Sequence, residues 1–152
     1  MARPEDPGAF VAAAERAINA RDLEATCGVY APDARLESLT DGAWEAYEGL
    51  PAVRRGWAGY LAVFAARDFR LAKTLRAVDG ELVVNDWTGT LGGRTDARGI
   101  EHWRFDAAGR VATHRMYSFL NVKPSTSPVQ RARLAATYPL TALAFLREGR
   151  RA

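Results

Sequence analysis

The chain has 152 residues, 48% apolar and 26% charged, with a net charge of +3, a size and balance that suit one domain burying a core without disulfides or metal and exclude a disordered chain. Its apolar runs are too short to cross a bilayer, and Met1 to Asp6 lacks the apolar core of a secretory leader, so a cytoplasmic protein with no membrane partner is expected. The single Cys27 reads as a small buried hydrophobe, and Arg147, Arg150 and Arg151 suit the dipole of a closing helix; with no DNA- or RNA-binding pattern beside them, no nucleic-acid partner is expected.

Asp6 and Pro7 form a helix start, and Phe10, Ala13, Ala14, Ala17 and Ile18 recur at helical spacing, which predicts a helix from about Pro7 to Ala20. Asp22 caps a short second helix ending near Gly28. Pro32-Asp33 then marks a turn into a strand through Leu36, Ser38 and Thr40, and Asp41-Gly42 a hairpin turn before a short return over Trp44 to Tyr47. Gly49 and Pro51 open a third helix carrying Val53, Trp57, Tyr60, Leu61 and Phe64. A meander follows: Phe69 to Val78, Glu81 to Leu91, Ala97 to Phe105 and Val111 to Phe119. The order implies an α+β fold with helices on one face of a curved antiparallel sheet. Residues 1–120 form that domain. Residues 121–152 are a linker, Lys123 to Pro128, and two helical pieces broken at Pro139; Leu140, Leu143, Ala144, Phe145 and Leu146 make the last piece apolar enough to need cover from the same domain or a partner subunit.

The hairpin over residues 99–117 carries the most chemistry. Side chains alternate between strand faces, so Glu101, Trp103 and Phe105 share one face and Ile100, His102 and Arg104 the other. Burial beside two rings disfavours the charged form of Glu101; the alternative is a surface Glu paired to Arg94 or Arg98. After the Asp106-Ala107-Ala108-Gly109 turn, Val111, Thr113, Arg115, Tyr117 and Phe119 alternate with Ala112, His114, Met116 and Ser118. His114 is a candidate base because its ordinary pKa lies near neutrality. Asp86 interrupts an apolar strand and is a second candidate, on either face.

The run Ile-Glu-His-Trp-Arg-Phe-Asp-Ala-Ala-Gly-Arg-Val, with the paired N-terminal helices and Tyr30 to Glu37, resembles the nuclear transport factor 2-like superfamily, in its ketosteroid isomerase and SnoaL-like polyketide cyclase branches, over residues 8–120. The resemblance implies a cone-shaped fold whose cavity is lined by Tyr30, Ser38, Trp44, Tyr47, Trp57, Tyr60, Trp103, Met116 and Tyr117, a small hydrophobic ligand, and a homodimer formed through the opposite sheet face. It places Glu101 where ketosteroid isomerases hold a neutral acid that donates to an oxyanion. Ser38 stands where that family has its general base, and Met116 where limonene-type epoxide hydrolases have an aspartate. His114 is then the replacement base. Two histidines and one cysteine without ligand spacing, no phosphate-binding glycine loop and no nucleophile elbow leave cofactor-free, metal-free acid–base chemistry (cyclisation, isomerisation or epoxide opening), or binding without chemistry.

Overall fold

Helix α1 (Pro7–Ala20) begins where the Asp6 carboxylate accepts from the Ala9 amide at 2.9 Å and Pro7 fills the first turn. Asp22 caps α2 (Leu23–Cys27) in the same way, accepting from the Ala25 amide at 2.9 Å. This computed structural model describes residues 3–123 and 127–148, and the chain divides into two compact units, residues 1–121 and 122–152.

The first unit continues with β1 (Tyr30–Thr40), β2 (Ala43–Glu48), α3 (Leu50–Ala66), β3 (Arg70–Asp79), β4 (Leu82–Leu91), β5 (Thr95–Phe105) and β6 (Val111–Phe119). Among the described residues these strands form one curved, unclosed sheet in the order β2-β1-β6-β5-β4-β3. The β1–β2 hairpin and the β3–β6 meander are antiparallel, as the short turns require, but β1 and β6 pair in parallel. Their relative direction is free of any tight turn because α3 and the rest of the meander lie between them.

Two further details depart from the sequence pattern. β1 starts at Tyr30, ahead of Pro32: Tyr30 pairs with Val111 and pairing resumes only at Arg35 with Thr113, so Pro32, which has no N–H to give, sits within an irregularity. On β6, Arg104 faces Thr113 and Phe105 faces Val111. Ala112 is thus an extra residue that turns Val111 inward to full burial instead of leaving it in phase with Thr113.

The helices cover one sheet face. Val11 and Ile18 of α1 and Val53, Trp57 and Leu61 of α3 are buried there with Leu36, Val83, Trp87, Trp103 and Phe105. Phe10 meets the Trp103 and Phe105 rings edge-on, with centroids 5.2 and 5.1 Å away. Gly99 serves a close approach: a Cβ there would lie 2.7 Å from the Trp87 indole and 2.3 Å from the Tyr117 carbonyl, so only glycine lets Trp87 lie across β5. Cys27 is buried, and burial pushes its thiol up.

The second unit holds α4 (Pro128–Thr137) and α5 (Pro139–Glu148), separated at Tyr138 by the proline break the sequence predicts. Linker residues 124–126, Arg150 and Arg151, and the side chains of Ala144, Phe145 and Leu146 lie outside the described residues.

Candidate active site

Alternation on β4, β5 and β6 gathers an unusual set of polar groups beneath α1 and α3. Asn85 is opposite Glu101, and Trp103 is opposite His114. All four are buried, with exposures of 0, 2, 2 and 0%, respectively. Lys73 of β3, with none of its side-chain surface exposed, completes the cluster as the ion-pair partner of Glu101 Oε2. The face pattern on β5 is the one alternation predicts, but the environment of Glu101 is different. It is one half of a buried ion pair, neither an isolated acid among rings nor a surface group held by Arg94 or Arg98.

The direction of the hydrogen bonds follows from the two indoles, which can only donate. Trp103 Nε1 donates to Asn85 Oδ1 at 2.6 Å, which fixes the amide so that Asn85 Nδ2 donates to Glu101 Oε2 at 2.8 Å. Trp57 Nε1 donates to the Tyr30 hydroxyl at 2.9 Å, and that hydroxyl lies 2.6 Å from His114 Nδ1. The arrangement that uses the Tyr30 proton has it donated to Nδ1, which assigns the imidazole proton to Nε2. Nε2 has no hydrogen-bond partner at its resting distance and faces Glu101 Oε1 at 3.8 Å. One chain of donors thus ends on the carboxylate, where Oε2 is taken by Lys73 and Asn85, and the other stops at His114 Nε2, 3.8 Å from Oε1.

Burial, then the Lys73 charge, then His102, push the His114 imidazole well below its usual range and keep it neutral. Its ring stacks on Trp103 with centroids 3.4 Å apart and lies near-parallel to Trp57 at 6.2 Å. Burial likewise pushes the Tyr30 phenol far up, against the lowering effect of the Trp57 bond, so Tyr30 stays a donor.

Glu101 also reaches the wall of a pocket of about 270 Å³. Its other walls are mainly apolar and include Ile18, Trp57, Phe64, Phe69, Trp87 and Met116, with hydroxyls from Ser38, Thr40, Tyr60 and Ser118. This is near the lower end of ligand-pocket sizes, enough for a small ring system. Of the residues singled out from sequence, Glu101, Ser38, Trp57, Tyr60 and Met116 line it. Tyr30, Trp103 and His114 lie beneath it in the buried network, and Tyr47 packs on Tyr60 with rings 6.2 Å apart. Asp86 pairs with Ile100 on the opposite sheet face and binds Arg76 at 2.6 Å. Trp44 and Tyr117 are also on that face, bordering a shallow depression with Glu37, Leu39 and Arg115; Trp44 is 64% exposed. Alternation explains all three, since Asp86 is out of phase with Asn85, Tyr117 with Met116, and Trp44 with Glu45.

Sequence reasoning passed over Lys73, Asn85 and Glu45. Lys73 shares its strand face with Leu71 and Leu75, and Asn85 shares one with Val83 and Trp87, so a polar residue in phase with an apolar series was the available signal. Among the described residues, no group of three or more His, Cys, Asp or Glu could hold a metal ion, and no helix is long and apolar enough to cross a membrane.

The sheet order, the helices on one face and the pocket between them define a SnoaL-like architecture within the nuclear transport factor 2-like superfamily. The chain belongs to the SnoaL-like domain family, which matches residues 11–114. Its fold is similar to a SnoaL-like protein of unknown function from Burkholderia thailandensis E264, at 20% identity over 72% of this chain and 92% of that one, TM-score 0.60. A steroid delta-isomerase from Pseudomonas aeruginosa is similar at 26% identity over 93% and 98%, TM-score 0.58. The epoxide hydrolase/cyclase-like enzyme SalBIII of pyran ring formation in salinomycin is similar at 19% identity over 78% and 94%, TM-score 0.59. No curated protein matches the chain.

Proposed function

We propose that the protein is a cofactor-free acid–base enzyme acting on a small hydrophobic, polyketide-like or cyclic molecule, by proton transfer leading to isomerisation, cyclisation or epoxide opening. The observation that carries this reading is the convergence of the Trp103–Asn85 donor chain and the Lys73 ammonium on Glu101 Oε2 at the wall of an apolar pocket, which leaves Oε1 with no hydrogen-bond donor among the described residues. In this reading the Glu101 carboxylate is the proton acceptor, through the oxygen that Lys73 and Asn85 leave free. Glu101 Oε1 takes a proton from the ligand, and His114 Nε2, 3.8 Å from the same oxygen, packs behind it. His114 is then a positioning residue in place of the base expected from sequence, and Asp86 takes no part. The hydroxyls of Ser38, Tyr60 and Ser118 are the donors available to negative charge developing on the ligand. We further propose that the enzyme is a cytoplasmic homodimer pairing through the outer sheet face, where Leu39, Trp44, Ile100 and Phe119 are exposed.

The test compares 2-naphthol with 2-methoxynaphthalene, which lacks the hydroxyl proton. Both should perturb the Trp57, Trp87 and Met116 resonances in NMR titrations. The hydroxyl should add about ten- to a hundredfold in affinity, the scale of a hydrogen bond to a charged acceptor. Glu101→Gln combined with Lys73→Met, which removes the buried pair without leaving a lone charge, should abolish that gain. Equal affinities in the native protein would contradict the role given to Glu101.

A further inference from the structure

The pocket has a second carboxylate. Glu45 sits on β2 opposite Ser38 and lines the same cavity, but unlike Glu101 it is exposed, which puts it at the mouth. Tyr60 donates to its Oε2 at 2.7 Å and Tyr47 to the same oxygen at 3.1 Å, so two phenols hold the side chain while Oε1 receives no donor among the described residues. The Tyr60 phenol is pushed up by burial, so it remains a neutral donor. The Tyr60 ring meets Tyr47 and Trp57 edge-on, at 6.2 and 5.8 Å, and stacks with Phe64 at 6.4 Å.

Glu45 and Glu101 are the charged residues lining the pocket. Glu24, Glu37, Glu48, Glu81 and Asp86 are each paired with an arginine, and Glu101 with Lys73. Glu45 has no cation within ion-pair distance among the described residues. With Glu101 neutralised by Lys73, the net charge on the pocket wall is that of Glu45. A single negative charge at the mouth of an apolar cavity attracts cations and repels anions.

We propose that Glu45, fixed by Tyr47 and Tyr60, is a cation-recognising station, and that the ligand is an apolar molecule whose solvent-side end carries a protonated amine. This rests on the reading of the pocket as the ligand site and adds the chemical class of one end of the ligand.

The experiment uses three probes with the same ring system in calorimetric titrations of the full chain at neutral pH: 2-naphthylmethylamine, 2-naphthylmethanol and 2-naphthoate. The amine should bind about fivefold more tightly than the alcohol, the scale of one ion pair to an exposed carboxylate, and the carboxylate more weakly than either. Added salt should shrink the amine's advantage. Glu45→Gln, a change at an exposed position, should erase the amine's advantage over the alcohol. An amine that binds no better than the alcohol, or that keeps its advantage in Glu45→Gln, would overturn the proposal while leaving the pocket as a ligand site. Failure of all three probes to bind would overturn both.

Discussion

Lys73 and Glu101 meet in the interior of the protein, with 0 and 3% of their side-chain surfaces exposed. Neither could be there alone, because an unpaired charge in such surroundings costs several kcal/mol. Lys73 comes from β3 and Glu101 from β5, so the contact ties two strands on either side of β4. Asn85, the β4 residue between them, donates to the same carboxylate oxygen.

Breaking the pair on one side should therefore cost more than removing it. Lys73→Met should destabilise the fold by about 3–5 kcal/mol, while Lys73→Met with Glu101→Gln should recover much of the loss. Urea denaturation of the native protein, the single variant and the double variant measures this. A double variant as unstable as the single one would show that the charge pair is not the source of the cost.

His114 gives a second prediction, in pH. Its folded pKa is held well below the ordinary value, mainly by burial and then by Lys73, whereas the unfolded chain takes up a proton near ~6.5. Below that pH the unfolded state binds the extra proton, so stability falls as pH drops, by about 1.4 kcal/mol per unit. Above it this contribution is constant. Thermal melts between pH 7.5 and 5 should show the decline, and His114→Gln should flatten it. An unchanged slope in that variant would assign the decline elsewhere.

Tyr30 sets the imidazole tautomer by donating to Nδ1, so nitrogen-15 NMR of His114 should show the proton on Nε2. Tyr30→Phe leaves both the Trp57 indole and Nδ1 without their partner and should cost about 1–3 kcal/mol for each group left unsatisfied. It should also permit the other tautomer. A proton found on Nδ1 in the native protein would reverse the donor chain.

Much of the fold was legible because it rests on local rules. Asp6 and Asp22 are caps with proline or helical spacing behind them, and strict alternation puts Trp103 and Phe105 inside. What escaped were features set by distant partners. The parallel pairing of β1 with β6 joins strands far apart in the chain, and the extra residue at Ala112 changes phase without any turn signal. At the site, alternation grouped Glu101 with its rings, but its electrostatic surroundings come from β3 and β4. Lysine and asparagine are ordinarily solvent residues, so Lys73 and Asn85 gave little sign of burial beyond their phase. Trp44 and Tyr117 lie away from the apolar pocket for the opposite reason: aromatic character suggested a cavity wall, and phase put them on the other face.

Proton transfer from a ligand in the apolar pocket to Glu101 is tested most directly with a small apolar ketone that has exchangeable α-hydrogens. Proton NMR would follow deuterium incorporation into 2-tetralone in heavy water at neutral pH, with and without the protein. The protein should accelerate exchange in a saturable manner, and the folded Glu101→Gln, Lys73→Met double variant should lose about 10²–10⁴-fold of that acceleration, whereas Asp86→Asn should keep it. Exchange no faster than in buffer, or an acceleration undiminished in the double variant, would contradict the assignment of Glu101 as the base.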